Sequence, residues 1–293
     1  MRAKLAALCV SILSSAVVCS AQTAPENTPR PTGQADYSSV YCSGFVSEPK
    51  VPEDIRVVSG EESAYKVTFA RGDYVYLNRG EDKGVKIGDR FIIVRQETDP
   101  ANEWFYGQTK LFKEMGAVYK DTGQVRVVSV HPKISIAEVV FSCDYVQRGD
   151  IARPFEERPA PPYKDASKFD HFAPISGKPV GTVVSSFDFH QELGRGDAAY
   201  VNIGAEKGVK VGDYMRVFRY QENKKDVSAS AGEHDMQYKD YGFGSAPTHY
   251  AGKDLPREVL GEGIVLSVTK GAATVLITYS TSEMYAGDFA EIE

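Results

Sequence analysis

Residues 71–89 read RGDYVYLNRGEDKGVKIGD, and residues 195–213 read RGDAAYVNIGAEKGVKVGD. Aligned without a gap, the two stretches are identical at 12 of 19 positions. The match continues in later segments, gap-free from Gly123/Gly261 to Asp150/Asp288. The chain is therefore an internal duplication. A repeat this long predicts two small domains and not a solenoid of short units.

Around the repeat lie short runs rich in Val, Ile, Tyr and Phe, such as RFIIVRQ, GQVRVVSV and ISIAEVVFS in the first copy. The second copy has YMRVFRY, GIVLSV and ATVLITYS in the same order. The runs partly alternate and are separated by Gly and Asp, the pattern of β-strands joined by tight turns. The expected fold is all-β: two tandem small antiparallel β-barrels, SH3-like or related, each of five or six strands and closed to hide its edges. The expected boundaries are a signal peptide over 1–21, a flexible leader over 22–38 and a first barrel module over 39–155. A proline-rich linker over 156–176 and a second barrel module over 177–293 follow. The segment YCSGFVS, residues 41–47, reads as a first short strand.

Within the repeat, Asn78 and Gly80, with Asn202 and Gly204, end a strand with residues that tolerate a left-handed backbone. Lys83 and Gly84, with Lys207 and Gly208, close a single helical turn. Lys86, Gly88 and Asp89, with Lys210, Gly212 and Asp213, re-enter a strand through a turn whose Asp can cap nearby amides. Val85 and Ile87 are expected inside the barrel. The motif reads as a chain-reversal device. The competing reading makes the four lysines two basic spots for an acidic partner. Arg-Gly-Asp occurs at Arg71, Arg148 and Arg195, and we read it as the same Gly-Asp turn and not as an adhesion signal.

Arg2 and Lys4, the apolar run to Val18 and the small residues Cys19, Ser20 and Ala21 have the layout of a secretory signal peptide. Lipidation at Cys19 is the alternative, with Val18 in the position against it. Removing the peptide leaves 32 basic against 40 acidic side chains, a net charge of −8. That balance disfavours nucleic acid and anionic lipid as partners. No later stretch is apolar for long enough to cross a bilayer as a helix. Cys42 and Cys143 are the two remaining cysteines, and an even count in an oxidising compartment predicts their disulfide. Two free buried thiols are the alternative.

The five histidines do not recur between copies or show metal-ligand spacing. Asp188, His190 and Glu192 would share one face of a strand, which we read as solvated. No catalytic, metal or cofactor site is expected. The copies differ most between their third and fourth strands, where long segments carry Trp104, Phe105 and Tyr106, and Tyr238, Tyr241, Phe243 and Tyr250. Aromatics on loops of a rigid barrel are the candidate partner-binding residues. The alternative is that they fold back over the barrel end.

The pattern Y-[LV]-N-x-G-x-x-x-G-V-K-x-G-D, followed by a strand, a later V-x-S-V and a terminal G-D-x-A, resembles the C-terminal domain of the flagellar assembly protein T family. It is similar also to repeats in bacterial envelope proteins that carry a LysM domain. The resemblance implies a Gram-negative periplasmic or outer-membrane-associated protein that acts by binding through a small β-barrel. The expected function is that of a non-enzymatic scaffold for another envelope protein. The alternatives are a peptidoglycan-binding module and a hydrolase with a site between the modules.

Overall fold

The computed structural model describes residues 32–98, 105–164, 169–220 and 256–293. Asp36 caps a first short helix, α1 (Tyr37–Cys42), by accepting from the Ser39 amide at 2.6 Å. Cys42 is thus helical, and the expected first strand is reduced to β1 (Phe45–Ser47). The Asp side chain at the N-cap satisfies a free amide and overrides the strand preference of Val and Tyr. There follow β2 (Val57–Gly60), β3 (Thr68–Phe69), β4 (Tyr74–Leu77), β5 (Arg90–Glu97), α2 (Gln108–Met115), β6 (Ala117–Val130), β7 (Ser135–Ser142), β8 (Val146–Gln147) and β9 (Ile151–Pro154). The second copy gives β10 (Val180–Ser186), β11 (Glu192–Leu193), β12 (Ala198–Val201), β13 (Tyr214–Arg219), β14 (Glu258–Val268), β15 (Ala273–Ser280), β16 (Met284–Tyr285) and β17 (Phe289–Ile292).

Strands β10-β12-β15-β14-β13-β17 form a closed antiparallel barrel. The first copy has the same order, β2-β4-β7-β6-β5-β9, in a seven-stranded sheet that also takes β1 onto β6. Its ends approach each other at an Arg56–Ile151 bridge, where the Val57 amide donates to Asp150 O at 2.9 Å and the Gly149 amide to Val57 O at 2.8 Å. The ribbons β3–β8 and β11–β16 occupy corresponding places beside the two sheets. Register repeats as well: Tyr76 faces Ile136 as Tyr200 faces Thr274, and the same bulge interrupts β2 at Val58 and β10 at Val184.

Each sheet encloses its own apolar cluster, one around Leu77, Phe91, Ile93 and Val127, the other around Val201, Met215, Val217 and Val265. Large and small residues trade places between copies, Phe69 and Phe91 standing where the second copy has Leu193 and Met215, and Ala137 and Val146 where it has Val275 and Met284, as compensated packing permits. Val85 is in the core, but Ile87 is 70% exposed, contrary to expectation. Ile87 lies within the turn closed by the Asp89 amide on Lys86 O and not in a strand, so the inward-outward alternation of a strand does not reach it. A third cluster belongs to neither sheet alone and joins Val40, Tyr41, Phe45, Ile92 and Val94 to Ile264, Leu266 and Leu276. Residues 33–35 of the expected leader pair with the linker, the Ala35 amide donating to Pro161 O and the Tyr163 amide to Gly33 O.

Candidate functional site

Six Gly-Asp pairs, at 72–73, 88–89, 149–150, 196–197, 212–213 and 287–288, share one geometry. The glycine has a positive φ between 91° and 107°. The Asp amide donates to the carbonyl three residues back, and the Asp carboxylate accepts from the amide of that same residue. All three Arg-Gly-Asp occurrences fall on these turns. Asn78 and Asn202 act differently from expectation. Neither is left-handed, and each side-chain oxygen accepts from a backbone amide of the neighbouring strand, Arg56 N at 2.7 Å and Thr182 N at 2.6 Å. Gly80 and Gly204 are not left-handed either; they are glycine because a Cβ would lie 2.2 Å from His131 O or 2.4 Å from Thr269 O. Gly84 and Gly208 do close their helical turns at φ 80° and 82°. Lys83, Lys86, Lys207 and Lys210 are exposed, and the backbone amides of Lys86 and Lys210 are those held by Asp89 and Asp213.

Two of the six aspartates also hold an arginine, a role that the sequence reading missed. Asp150 and Asp288 are buried, and each holds an arginine in a two-toothed pair: Arg95 at 2.8 and 3.0 Å, Arg219 at 2.7 and 2.7 Å. The signal was present in the alignment, since Arg95 and Arg219 occupy the same position of the duplicated strand. Asp121 has no such counterpart. It is buried against Arg158, which also donates to Val40 O, so the start of the linker is tied to α1.

The segment between β5 and β6 forms a concave feature with mixed chemistry. Helix α2 starts at Gly107 and ends at Gly116, both with positive φ. It turns Leu111, Phe112 and Met115 toward Val184 and Tyr200 of the second module. Gln108 Nε2 donates to Val184 O at 2.8 Å. Through Gln108, Thr109, Phe112 and Lys113, α2 also walls a groove of about 720 Å³ together with Ser47, Pro49, Gln96, Glu97 and Val118. Burial pushes the Glu97 carboxyl above its ordinary range, although Lys120 pulls against it. Burial lowers the Lys120 pKa, but hydrogen bonds to Asp188 and Asp144 outweigh that and hold it above the usual lysine value. Lys120 pairs with Asp144 at 3.0 Å and with Asp188 at 2.6 Å.

Among the aromatic candidates, Phe105 is buried and Tyr106 stands 95% exposed beside the start of α2. Trp104, Tyr238, Tyr241, Phe243 and Tyr250 lie outside the described residues. Asp188, His190 and Glu192 do not share a strand face: Phe187–Phe189 is a single 3-10 turn with Asp188 at φ 57°. Among the described residues no three His, Cys, Asp or Glu side chains are grouped to hold a metal, and no helix is long and apolar enough to cross a membrane. Cys42 and Cys143 form the disulfide, joining α1 to the end of β7. No protein-family model and no curated protein matches the chain.

Proposed function

We propose that this chain is an exported, non-enzymatic binding protein of the bacterial envelope, and that it holds an extended segment of another envelope protein in the groove beside α2. The observation that carries the reading is the groove itself. Pro49, Phe112 and Val118 supply apolar wall, while the exposed side-chain amide of Gln96 and hydroxyl of Thr98 supply orienting groups, the composition of a recognition cleft. Its helical wall is packed on the second module, so the site is rigid before a partner arrives. We take the first sheet, with its ends drawn together at Arg56 and Ile151, to be a second barrel of the SH3-like or related kind. The disulfide supports an oxidising compartment, and the resemblance of the repeated motif to flagellar assembly protein T supports the envelope.

The test is photo-crosslinking with an ultraviolet-activated residue at Tyr106 and, as a control, at Lys207, each in the chain from Gln22 onward, added to an envelope extract. A single adduct is expected from position 106 and none from 207, and Thr109→Trp, which fills the groove, should abolish it. Absence of an adduct, or pelleting of the chain with purified peptidoglycan instead, would overturn the reading.

A further inference from the structure

The second module meets the first through one outward face. Val184, Tyr200, Ala272, Ile264, Leu266 and Leu276 alternate with barrel-core residues along β10, β12, β14 and β15, and all are buried against α1, β1 and α2. Polar contacts fix the joint. Tyr200 Oη donates to Ser43 O at 3.1 Å, and Thr274 Oγ1 donates to Gly44 O at 3.2 Å.

The repeat maps this face onto the first module through the shared register. Val58 stands where Val184 does, Tyr74 at Ala198, Tyr76 at Tyr200, Ile134 at Ala272 and Ile136 at Thr274. Among the described residues no element packs over this face as α1, β1 and α2 do over the second module's: Val58, Tyr74 and Ile134 are 42%, 40% and 41% exposed, and Tyr76 and Ile136 are half-buried. Tyr76, Ile134 and Ile136 line a groove of about 460 Å³ with His131 and Pro132. Five large apolar side chains on three adjacent strands form a contiguous patch of the kind that marks an interaction surface.

The covering half of the joint is repeated too. In the first module the chain preceding β2 lies on the start of β6, with Phe45 opposite Tyr119. In the second, the chain preceding β10 lies on the start of β14: the Val259 amide donates to His171 O at 2.8 Å, and Arg257, which aligns with Tyr119, donates to Ala173 O at 2.9 Å. Ala173 is buried there with Phe218 and Val259. The outer side of this segment leaves Phe172 61% and Ile175 60% exposed. One chain thus carries the counterpart of each half of a joint that it has already built once, and among the described residues both present exposed apolar side chains.

We propose that these two surfaces dock between copies, the Tyr74–Ile134 face of one chain on the Phe172–Ile175 segment of the next, so that the chain associates head to tail. The contact is heterologous, so each added copy leaves one surface open for the next, in a filament or until a ring closes. It is weaker than the joint within the chain for two reasons. Arg126 and Glu138, paired at 3.0 Å, stand where the covered face has Ile264 and Leu276. The linker also gives the internal joint a high effective concentration. A dissociation constant of about 10 μM is the expected scale.

Sedimentation velocity of the chain from Gln22 onward tests this over a concentration series on both sides of that value. The wild type should sediment faster with concentration, beyond the dimer. Tyr74→Asp with Ile134→Asp should be monomeric, as should Phe172→Asp with Ile175→Asp. An equimolar mixture of the two should form a dimer and nothing larger, because each variant brings one intact surface. A symmetric contact cannot give that result. A wild type that stays monomeric, a variant that still self-associates, or a mixture that stays monomeric would overturn the proposal. Serine at the same positions provides a milder pair if circular dichroism shows the aspartate variants unfolded.

Discussion

Gly80 and Gly84 are four positions apart and are glycine for different reasons. Gly80 has an ordinary extended backbone but passes so close to the 131–134 turn that a methyl group would collide with backbone atoms. Backbone cannot step aside as a flexible side chain can. Gly84 has open space around its Cα and a left-handed φ of 80°, so its constraint is purely conformational. Gly80→Ala should therefore cost about 2–3 kcal/mol, and Gly84→Ala about 1–2 kcal/mol. Urea denaturation of the two variants checks the order. Equal losses would mean that the 131–134 turn relaxes and that close approach is not what selects Gly80.

At the scale of elements, α1 matters out of proportion to its six residues. Tyr41 stacks on Phe155 at 5.7 Å between ring centroids, and its hydroxyl accepts from the Arg158 amide at 2.8 Å. The helix packs against both β6 and β14. Its one covalent tether is the disulfide, which spans 101 positions of sequence. Replacing Cys42 and Cys143 with serine should lower stability by about 2–4 kcal/mol, through the larger entropy of the untethered unfolded chain. Chemical denaturation of the oxidised wild type against the double variant measures it. A loss below about 1 kcal/mol would show that packing alone holds α1.

At the scale of the molecule, the two modules share buried surface and should unfold together although each has its own core. A single thermal transition is expected, with calorimetric and van't Hoff enthalpies equal. Tyr200 tests the coupling because it is buried in the joint, and that burial raises its hydroxyl pKa well above the ordinary value. Tyr200→Phe should keep one transition and cost about 1 kcal/mol for the hydrogen bond to Ser43 O. Tyr200→Asp places a charge between the modules and should split the transition in two. Two transitions in the wild type would show the joint to be too weak to couple them.

By itself the sequence determined the duplication, the β class, the Gly-Asp turns and the cysteine pairing. These are local or countable: a turn is encoded by the residues within it, and the two cysteines left after the expected cleavage admit one pairing. Helix α1 was hidden because YSSVYC has the composition of a strand, and one capping carboxylate decided it. The paired arginines Arg95 and Arg219 were visible as a repeat, but only folding brings each within reach of an aspartate more than fifty residues away. Tertiary structure alone decided which outward face is covered. Strands such as GIVLSV and ATVLITYS are apolar on both faces, the sign of burial on both sides, whereas the first copy interrupts that run with Arg126 and Glu138. The pattern says that a face seeks cover. What covers it is set by where α1, β1 and α2 come to lie, and that depends on contacts between residues far apart in the chain.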